Sequence, residues 1–431
     1  MQQHNTMPET AESTRMVECP VSRVGDGSAH HFFGYYNKPV WSADGTRMLA
    51  NRVDVMQGEL GVHFAAQVGY FDMADGGTFH ALGETTTWNF QMGCQLQWLE
   101  NTPSSVIFNT RSFDTKDVYP DFGSTIVDLE TGVRRTLPLP VYVVAPSGEY
   151  ALCIDYDRLQ QAHPTIGYFP HTPRLPLPLA PADEGIRRMD LGTGEHTLIV
   201  TMEQLRSFQP VGSMENAFHW VTHLEIAPGS ERFLFLHRWT ECFEDEMRWL
   251  HRLFTVNTDG SGLRLLECGD HPLPPLGAPP AGIFDYEKAI WQLSHPTWRD
   301  DHHVMIWGPH DAQANYHLYD DRTGQVEVVG RGVLTENGHM TYSPDKRWIL
   351  SDTYPDDEDH RLLILFDTQT GQRIDIGRFY TDPALGKINR CDLHPRWSRC
   401  GGMVCIDSVH DRERQLYVVD VRAVVGNTGN G

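Results

Sequence analysis

Residues 338–371, with the sequence GHMTYSPDKRWILSDTYPDDEDHRLLILFDTQTG, contain two turn signatures that decide the fold. The first is Tyr342-Ser-Pro-Asp, in which a large residue ends one apolar run and a polar turn leads into the next run. The second is Phe366-Asp-Thr-Gln-Thr-Gly, an Asx-type turn with a glycine available for positive φ. Because each turn joins two short apolar runs, the stretch predicts consecutive antiparallel strands.

Both signatures recur seven times along the chain. The second is anchored on an Asp or Asn at Asp72, Asp128, Asp190, Asn257, Asp320, Asp367 and Asp420. The first precedes each copy, and its large residue is Trp41, Trp98, Val144, Ile226, Trp298, Tyr342 and Trp397. Closure into a ring protects the edges of many short strands. Seven repeats, each with the length of four strands and both signatures in the same order, therefore predict an all-β, seven-bladed β-propeller.

The last repeat lacks an outer strand, and a segment near the N-terminus is expected to supply it. This segment is Met16-Val-Glu-Cys-Pro-Val, which would close blade seven. We expect a disordered leader over residues 1–12, one propeller domain over 13–425 and a flexible tail over 426–431. The Pro-rich insert from Gln160 to Asp183 is predicted to be an ordered surface loop, and Thr201 to Gln209 is the best candidate for a helix.

Composition excludes some classes of partner. The chain of 431 residues carries 57 acidic against 35 basic residues, a formal charge of −22, which disfavours nucleic acid and anionic membrane surfaces. It contains no long apolar run and no signal-like N-terminus, so a cytoplasmic protein is expected. The eight cysteines show no paired spacing and are expected to be reduced. The sequence leaves the oligomeric state open.

Histidine, with 22 residues, is unusually frequent, and its placement is informative. Three positions before the large residue of the first signature, the repeats carry Lys38, Gln95, Val141, His223, His295, His339 and His394. In a propeller this position lies at the start of the innermost strand, so the side chains should converge on the axial channel. Converging imidazoles predict a divalent metal site on the four histidines, with zinc, manganese or calcium left open. The alternative is a water-filled channel.

The same face of the propeller should also contain the end of the second strand of each blade and the loop that follows it. Candidate contacts to an anionic ligand there are Tyr36, Gln91, Arg111, Arg158 and Arg238. The alternative interpretation of each is structural, since aromatic residues at strand ends often pack between blades and arginines often form ion pairs.

Four strings give the chain a family resemblance. They are His31-Phe-Phe-Gly-Tyr-Tyr-Asn-Lys-Pro, Gly338-His-Met-Thr-Tyr-Ser-Pro-Asp, Ser351-Asp-Thr-Tyr-Pro and Arg390-Cys-Asp-Leu-His-Pro-Arg-Trp. They resemble the seven-bladed propeller polysaccharide lyases, namely ulvan and rhamnose-glucuronate lyases and, more distantly, oligogalacturonate lyases. The resemblance spans nearly the whole chain. It implies β-elimination at a uronic acid, which needs a neutralised carboxylate, a base and an acid.

The resemblance also implies roles for particular residues. Tyr168 would act as base or acid, and Arg187 or Arg188 would clamp the carboxylate. Asn89 and Asn109 occupy the positions of a histidine pair in ulvan-type relatives and would hydrogen-bond to the substrate. Oligogalacturonate lyases hold a metal on three histidines and a glutamine, an arrangement that the four-histidine ring resembles.

The preferred hypothesis is a lyase that acts on an acidic oligosaccharide and carries a metal at the axis. Two alternatives stay open. A glycoside hydrolase of the rhamnosidase type on the same scaffold would use a histidine such as His31. A propeller without catalytic activity would bind a sugar or a protein.

Overall fold

The computed structural model describes residues 14–112, 118–270, 292–311 and 313–426. The expected leader and all but the first residue of the expected tail lie outside these ranges. Two short strands come first, β1 (Thr14–Met16) and β2 (Val21–Arg23). Seven sheets of the propeller then follow in chain order.

Blades one to four have four strands each. Blade one contains β3 (His30–Phe32), β4 (Arg47–Val53), β5 (Ala66–Asp72) and β6 (Thr78–Thr85). Blade two contains β7 (Gln97–Trp98), β8 (Ser105–Arg111), β9 (Phe122–Asp128) and β10 (Arg134–Leu137). Blade three contains β11 (Val141–Val144), β12 (Tyr150–Cys153), β13 (Gly185–Asp190) and β14 (His196–Thr201). Blade four contains β15 (Phe218–Ile226), β16 (Arg232–Thr240), β17 (Leu250–Asn257) and β18 (Arg264–Gly269).

The remaining blades complete the ring. Blade five contains β19 (Ser294–Trp298), β20 (His303–His310), β21 (Gln313–Asp320) and β22 (Val326–Val329). Blade six contains β23 (Thr341–Tyr342), β24 (Trp348–Asp352), β25 (His360–Asp367) and β26 (Arg373–Tyr380). Blade seven contains β27 (Arg396–Trp397), β28 (Met403–Ser408) and β29 (Gln415–Asp420). The predicted seven-bladed, all-β fold is confirmed.

An N-terminal strand closes blade seven, as predicted, but it begins only at Val21, the last residue of the expected segment. The closing strand is β2, which pairs antiparallel with β29. Met16 instead ends β1, which pairs parallel with β26 and gives blade six a fifth strand. Pro20 separates the two strands; it has no backbone N–H to donate, and its carbonyl accepts from Asp420 N at 2.9 Å.

The repeated turn signatures have the structural role that the sequence predicts. All seven anchoring Asp and Asn residues are the last residue of the third strand of their blade. Asp190 Oδ1, for example, accepts from Thr193 N at 2.7 Å, and Asp320 Oδ1 accepts from Arg322 N at 2.7 Å. The carboxylates thus satisfy backbone N–H groups that the turn leaves unpaired.

Large residues of the first signature join neighbouring blades. Trp98 Nε1 donates to the carbonyl of Val40 in blade one at 3.1 Å, and Trp298 Nε1 donates to that of Glu225 in blade four at 3.1 Å. Both indoles are buried. Each therefore adds a hydrogen bond to the apolar packing between blades.

The described residues contain three short α-helices, α1 (Tyr156–Ala162), α2 (Met202–Ser207) and α3 (Arg422–Val425). They also contain 3-10 turns at Gly212–Met214, Glu246–Arg248 and Pro383–Leu385. Helix α2 confirms the predicted helix. Helix α1 was not predicted and overlaps the start of the expected insert loop; Asp155 caps it by accepting from Asp157 N at 3.0 Å. Among the described residues, no helix has the length and apolar character needed to cross a bilayer.

Candidate functional site

The backbone bends sharply at three of the four aligned histidines. His223, His295 and His394 have φ of 56°, 54° and 43°, in the left-handed region that residues other than glycine seldom adopt. The β15 ladder shifts register between Thr222 and Glu225, and the β19 ladder shifts between Ser294 and Thr297. These bulges turn the imidazoles out of the strand and toward the axis. Backbone strain of this kind is concentrated at functional sites.

The four imidazoles converge as the repeat alignment predicts. Ring centroids lie 4.0 Å apart for His295 and His339, and 4.3 Å apart for His339 and His394. His223 is more distant, 5.9 Å from His295. The ring therefore has a tight part formed by three histidines and an edge formed by His223.

A carboxylate that the sequence analysis did not select completes the tight part. Ligand atoms of His339, Asp392 and His394 all lie within 4.8 Å of one another, and all three residues are buried. Burial lowers the pKa of His394 well below its ordinary value, so the imidazole is neutral. Burial opposes ionisation of Asp392, yet Arg390 and Arg361 hold its pKa well below the ordinary value. Two imidazoles and a carboxylate are a common ligand set for a divalent cation.

Hydrogen bonds fix the orientation of the side chains in this candidate metal-binding cluster. His339 Nδ1 donates to Asp352 Oδ1 at 2.9 Å, which leaves Nε2 as the ligand atom. Asp352 also accepts from the backbone N of His339 at 2.7 Å and of His394 at 3.2 Å. Carboxylates that fix metal-ligating histidines in this way are typical of metal centres. His394 Nε2 is buried and has no hydrogen-bond partner among the described residues, as expected of an atom reserved for a cation.

A small pocket of about 40 Å³ lies against the histidines. His223, His295 and His339 contribute to its lining. The other lining residues include Tyr35, Gln91, His163, Arg238, Gln292, Tyr354 and Arg390. Two guanidinium groups therefore face the same space as the imidazoles, and the one lining carboxylate, Glu246, is paired with Lys387. This balance of charge suits an anionic ligand despite the acidity of the whole chain.

Contacts within the lining hold the arginines in place. Arg238 Nη1 lies 3.4 Å from His163 Nδ1, and Arg238 is only 2% exposed. Arg390 Nε donates to Asp392 Oδ2 at 2.7 Å, and its carbonyl accepts from Gln91 Nε2 at 2.9 Å. Because Arg390 contacts Asp392, charge in the pocket is coupled directly to the candidate metal ligands.

The structure brings together some of the predicted site residues and separates others. Those at or beside the pocket are Tyr36, Gln91, Arg238, His223, His295, His339 and His394. Arg187 and Arg188 instead lie on β13, the third strand of blade three, and stack on Tyr119 and Tyr150. The third strand lies away from the axis, which explains why the expected clamp is absent from the pocket lining.

Three further predicted residues also lie outside the lining. His31 Nδ1 lies 3.2 Å from Gln415 Oε1 between blades one and seven, and burial lowers the pKa of this histidine to about 4. Arg111 Nε donates to Thr86 Oγ1 at 2.9 Å. Arg158 contacts Glu184, His219 and Pro178. All three make structural contacts in these positions.

Tyr168, Asn89 and Asn109 form a buried cluster beside the channel. Tyr168 stacks on Tyr156 with centroids 4.1 Å apart, and its hydroxyl accepts from Asn109 Nδ2 at 3.3 Å. Asn109 is also held by Val141, whose N donates to Oδ1 at 2.7 Å, while Asn89 Nδ2 donates to the carbonyl of Gly167 at 3.2 Å. Burial raises the pKa of Tyr168 well above its ordinary value. These contacts brace the blade-three insert against blade two.

Arg158 offers a test of its structural role. Replacing it with methionine leaves the carboxylate of Glu184 with one fewer partner in a nearly dry site, where Arg158 is 3% exposed and Nε lies 2.9 Å from Glu184 Oε2. We expect Arg158→Met to lower the free energy of unfolding by about 3 kcal/mol, measured by urea denaturation. A loss below about 0.5 kcal/mol would contradict this structural assignment.

The residues that the sequence analysis missed differ in how they could have been found. Asp392 stands two positions before His394, and that alternation places both side chains on one face of an extended segment. Asp352 ends β24 at thirteen positions from His339, and no local pattern pairs the two. Arg390 and His163 come from loops, where sequence periodicity carries no information about direction.

The fold and the axial cluster define a class: a seven-bladed β-propeller with a candidate metal centre on its axis. No family model and no curated protein sequence matches the chain. Among solved structures, the chain is similar to an oligogalacturonate lyase from Vibrio parahaemolyticus, at 13% identity and a TM-score of 0.61, with 94% of each chain covered. It is similar to an oligogalacturonate lyase in complex with manganese, at 14% identity and a TM-score of 0.61, with 93% of each chain covered.

The similarity extends to a propeller protein of another activity. The tricorn protease matches at 11% identity and a TM-score of 0.50, covering 92% of this chain and 34% of that one. Identities this low establish a shared fold and leave function to be argued from the site.

Proposed function

We propose that the protein is a carbohydrate lyase that cleaves a uronic-acid-containing oligosaccharide by β-elimination. The observation that carries the proposal is the buried cluster of His339, Asp392 and His394, in which His394 Nε2 has no hydrogen-bond partner among the described residues, beside a pocket lined by two arginines. The solved manganese complex of an oligogalacturonate lyase, which has a similar fold, supports the same conclusion.

In this proposal, three side chains hold a divalent cation. His339 and His394 would offer Nε2, and Asp392 would offer a carboxylate oxygen, with Asp352 orienting the first imidazole. The bound cation would supply positive charge that stabilises the carboxylate as the adjacent C5 proton is lost. Imidazole ligands favour manganese or zinc over calcium, which prefers an all-oxygen shell.

The chain's own residues carry the remaining roles. Arg238 and Arg390, which line the pocket, would pair with the uronate carboxylate and draw electron density from C5. His295 would act as the base. Its Nδ1 lies 3.3 Å from Asn337 Oδ1, an acceptor that favours the proton on Nδ1. Nε2, which lies 3.3 Å from Ser294 Oγ, would take the C5 proton. Burial lowers the pKa of His295 well below its ordinary value, so the imidazole is neutral before reaction.

The proposed step balances without an oxidant or reductant. His295 removes the C5 proton, the C5 electron pair forms the C4–C5 double bond, and the bond from C4 to the glycosidic oxygen breaks. The departing oxygen carries the electron pair away and takes a proton from solvent. The products are one saturated and one unsaturated oligosaccharide.

The experiment that tests the proposal supplies oligomers of galacturonan, ulvan and glucuronan to the purified chain with manganese. We expect one of them to give the ultraviolet absorbance of an unsaturated uronide, and chelation should abolish it. Silence across all three substrates would contradict the proposal.

A Tyr168 variant distinguishes this proposal, in which His295 is the base, from the acid or base role that the family resemblance implies for Tyr168. Since its hydroxyl is buried against Asn109 and Gly93, we expect Tyr168→Phe to keep turnover within about threefold of the parent chain. The lost hydrogen bond should reduce the free energy of unfolding by about 1 kcal/mol. Initial rates and urea denaturation measure the two effects. A fall in turnover of about 100-fold in a folded variant would return the acid or base role to Tyr168.

A further inference from the structure

Two buried tyrosines divide the axial channel into two separate spaces. The rings of Tyr35 and Tyr36 lie 4.6 Å apart, and neither residue is more than 5% exposed. Tyr35 lines the pocket on the histidine side, whereas Tyr36 lines a second cavity. The hydroxyl of Tyr36 donates to the carbonyl of Pro296 at 3.1 Å and so fixes the partition.

The second cavity lies toward the opposite end of the innermost strands and is larger. All seven blades contribute to it, and its volume is about 640 Å³. Its walls are largely apolar and rigid, with Pro39, Pro146, Pro228, Trp98, Trp298 and Trp397 among the lining residues. Walls of this kind suit the body of a small organic molecule.

A buried lysine, Lys38, lies in this cavity. Lys38 is 4% exposed and lines the space, and its Nζ donates to Asn37 Oδ1 at 3.3 Å. The same Nζ lies 5.3 Å from the Tyr142 ring centroid and 5.8 Å from that of Tyr35. No described carboxylate forms an ion pair with it. Burial lowers the pKa of Lys38 to about 7, against an opposing effect of Glu225.

Apart from Lys346, which is exposed to solvent, the other charges in the cavity are already engaged. Glu225 accepts from Trp298 N at 2.8 Å, from Thr297 Oγ1 at 3.0 Å and from Asn37 Nδ2 at 3.1 Å. Arg396 pairs with Asp407 at 2.8 Å, and Arg399 pairs with Glu100 at 2.6 Å. An uncompensated buried charge is destabilising, so Lys38 stands out as a group that a ligand would complement.

We propose that this second cavity binds a small organic carboxylate, whose carboxylate group pairs with Lys38 Nζ while its body packs against the prolines and indoles. A single ammonium is a point charge that matches one carboxylate. Phosphate sites usually add guanidinium forks or several backbone N–H groups. This site is separate from the histidine cluster and does not depend on the lyase proposal.

The test compares binding of sodium benzoate, its uncharged isostere benzamide, and sodium phosphate to the full chain by ligand-observed NMR. We expect benzoate to bind at least about tenfold more tightly than benzamide or phosphate, as a charged hydrogen bond requires. Lys38→Met should remove that preference, weakening benzoate by about tenfold or more. Lys346→Met, at an exposed lysine that lines the same cavity, is the matched control and should change benzoate affinity by less than about threefold.

Lys38→Met is expected to fold, because exchanging a buried ammonium for a methionine removes an uncompensated charge. We therefore expect the thermal midpoint of Lys38→Met to equal or exceed that of the parent chain. Three results would each overturn the proposal: benzoate affinity unchanged in folded Lys38→Met, benzamide binding as tightly as benzoate, or no benzoate binding by the parent chain at about 10 mM.

Discussion

His394→Ala is expected to purify without its metal and without measurable turnover. Nε2 of this histidine is buried with no other hydrogen-bond partner among the described residues, and it lies in the cluster with His339 and Asp392. Removing one ligand of three should weaken metal affinity by more than the tenfold to 100-fold typical of losing an outer-shell partner. Elemental analysis of the dialysed chain measures the ion directly, and we expect occupancy to fall from about one ion to under about a tenth of one.

The matched control for this prediction is His80→Ala. His80 lies with Asp72 and Asp75 in a second, partly exposed group of potential ligands on blade one. Exposed acidic groups of this kind seldom retain a metal, so the control variant should keep both the ion and the turnover. Equal metal content in His394→Ala and the parent chain would contradict the axial site, and loss of metal in His80→Ala would move the site to blade one.

Arg238→Met is expected to lower kcat/KM by about 100-fold to 1000-fold while the metal stays bound. Arg238 lines the pocket and is 2% exposed, so its charge acts on a carboxylate there with little screening by water. Losses of this size are usual when a donor that stabilises developing charge is removed. Initial rates on the preferred uronate oligomer measure the effect.

Two further variants define what Arg238 contributes. Arg238→Lys keeps the charge without the planar fork and should recover only part of the lost kcat/KM. Arg111→Met, at an arginine held by Thr86 outside the pocket lining, should stay within about threefold of the parent chain. If Arg238→Met kept full activity, or if Arg111→Met lost as much, the pocket would not be where the carboxylate binds.

The seven-bladed fold follows from local chemistry that a sequence displays directly. Asx-turn anchors such as Asp190 and Asp320 recur at the end of the third strand of each blade, because the turn itself needs a carboxylate or amide there. Ring closure was also predictable, since one strand was missing from the last repeat. The position of the closing strand was not, because the choice between β1 and β2 depends on where Pro20 interrupts the ladder.

The site was predictable only where the repeat symmetry extends. His223, His295, His339 and His394 occupy equivalent positions, so their convergence follows from the alignment alone. Residues transferred from the family resemblance have no such support, and Arg187 and Arg188 lie on a third strand, away from the pocket. Asp352, Arg390 and His163 reach the site through tertiary contacts that no local pattern records.

The mass of the products formed in water enriched in oxygen-18 distinguishes β-elimination from hydrolysis. Elimination breaks the bond from C4 to oxygen and adds no water, so the account predicts an unsaturated product whose mass is the same in labelled and ordinary water. Hydrolysis inserts one water, so saturated products that carry the label would contradict the account and identify a glycoside hydrolase instead.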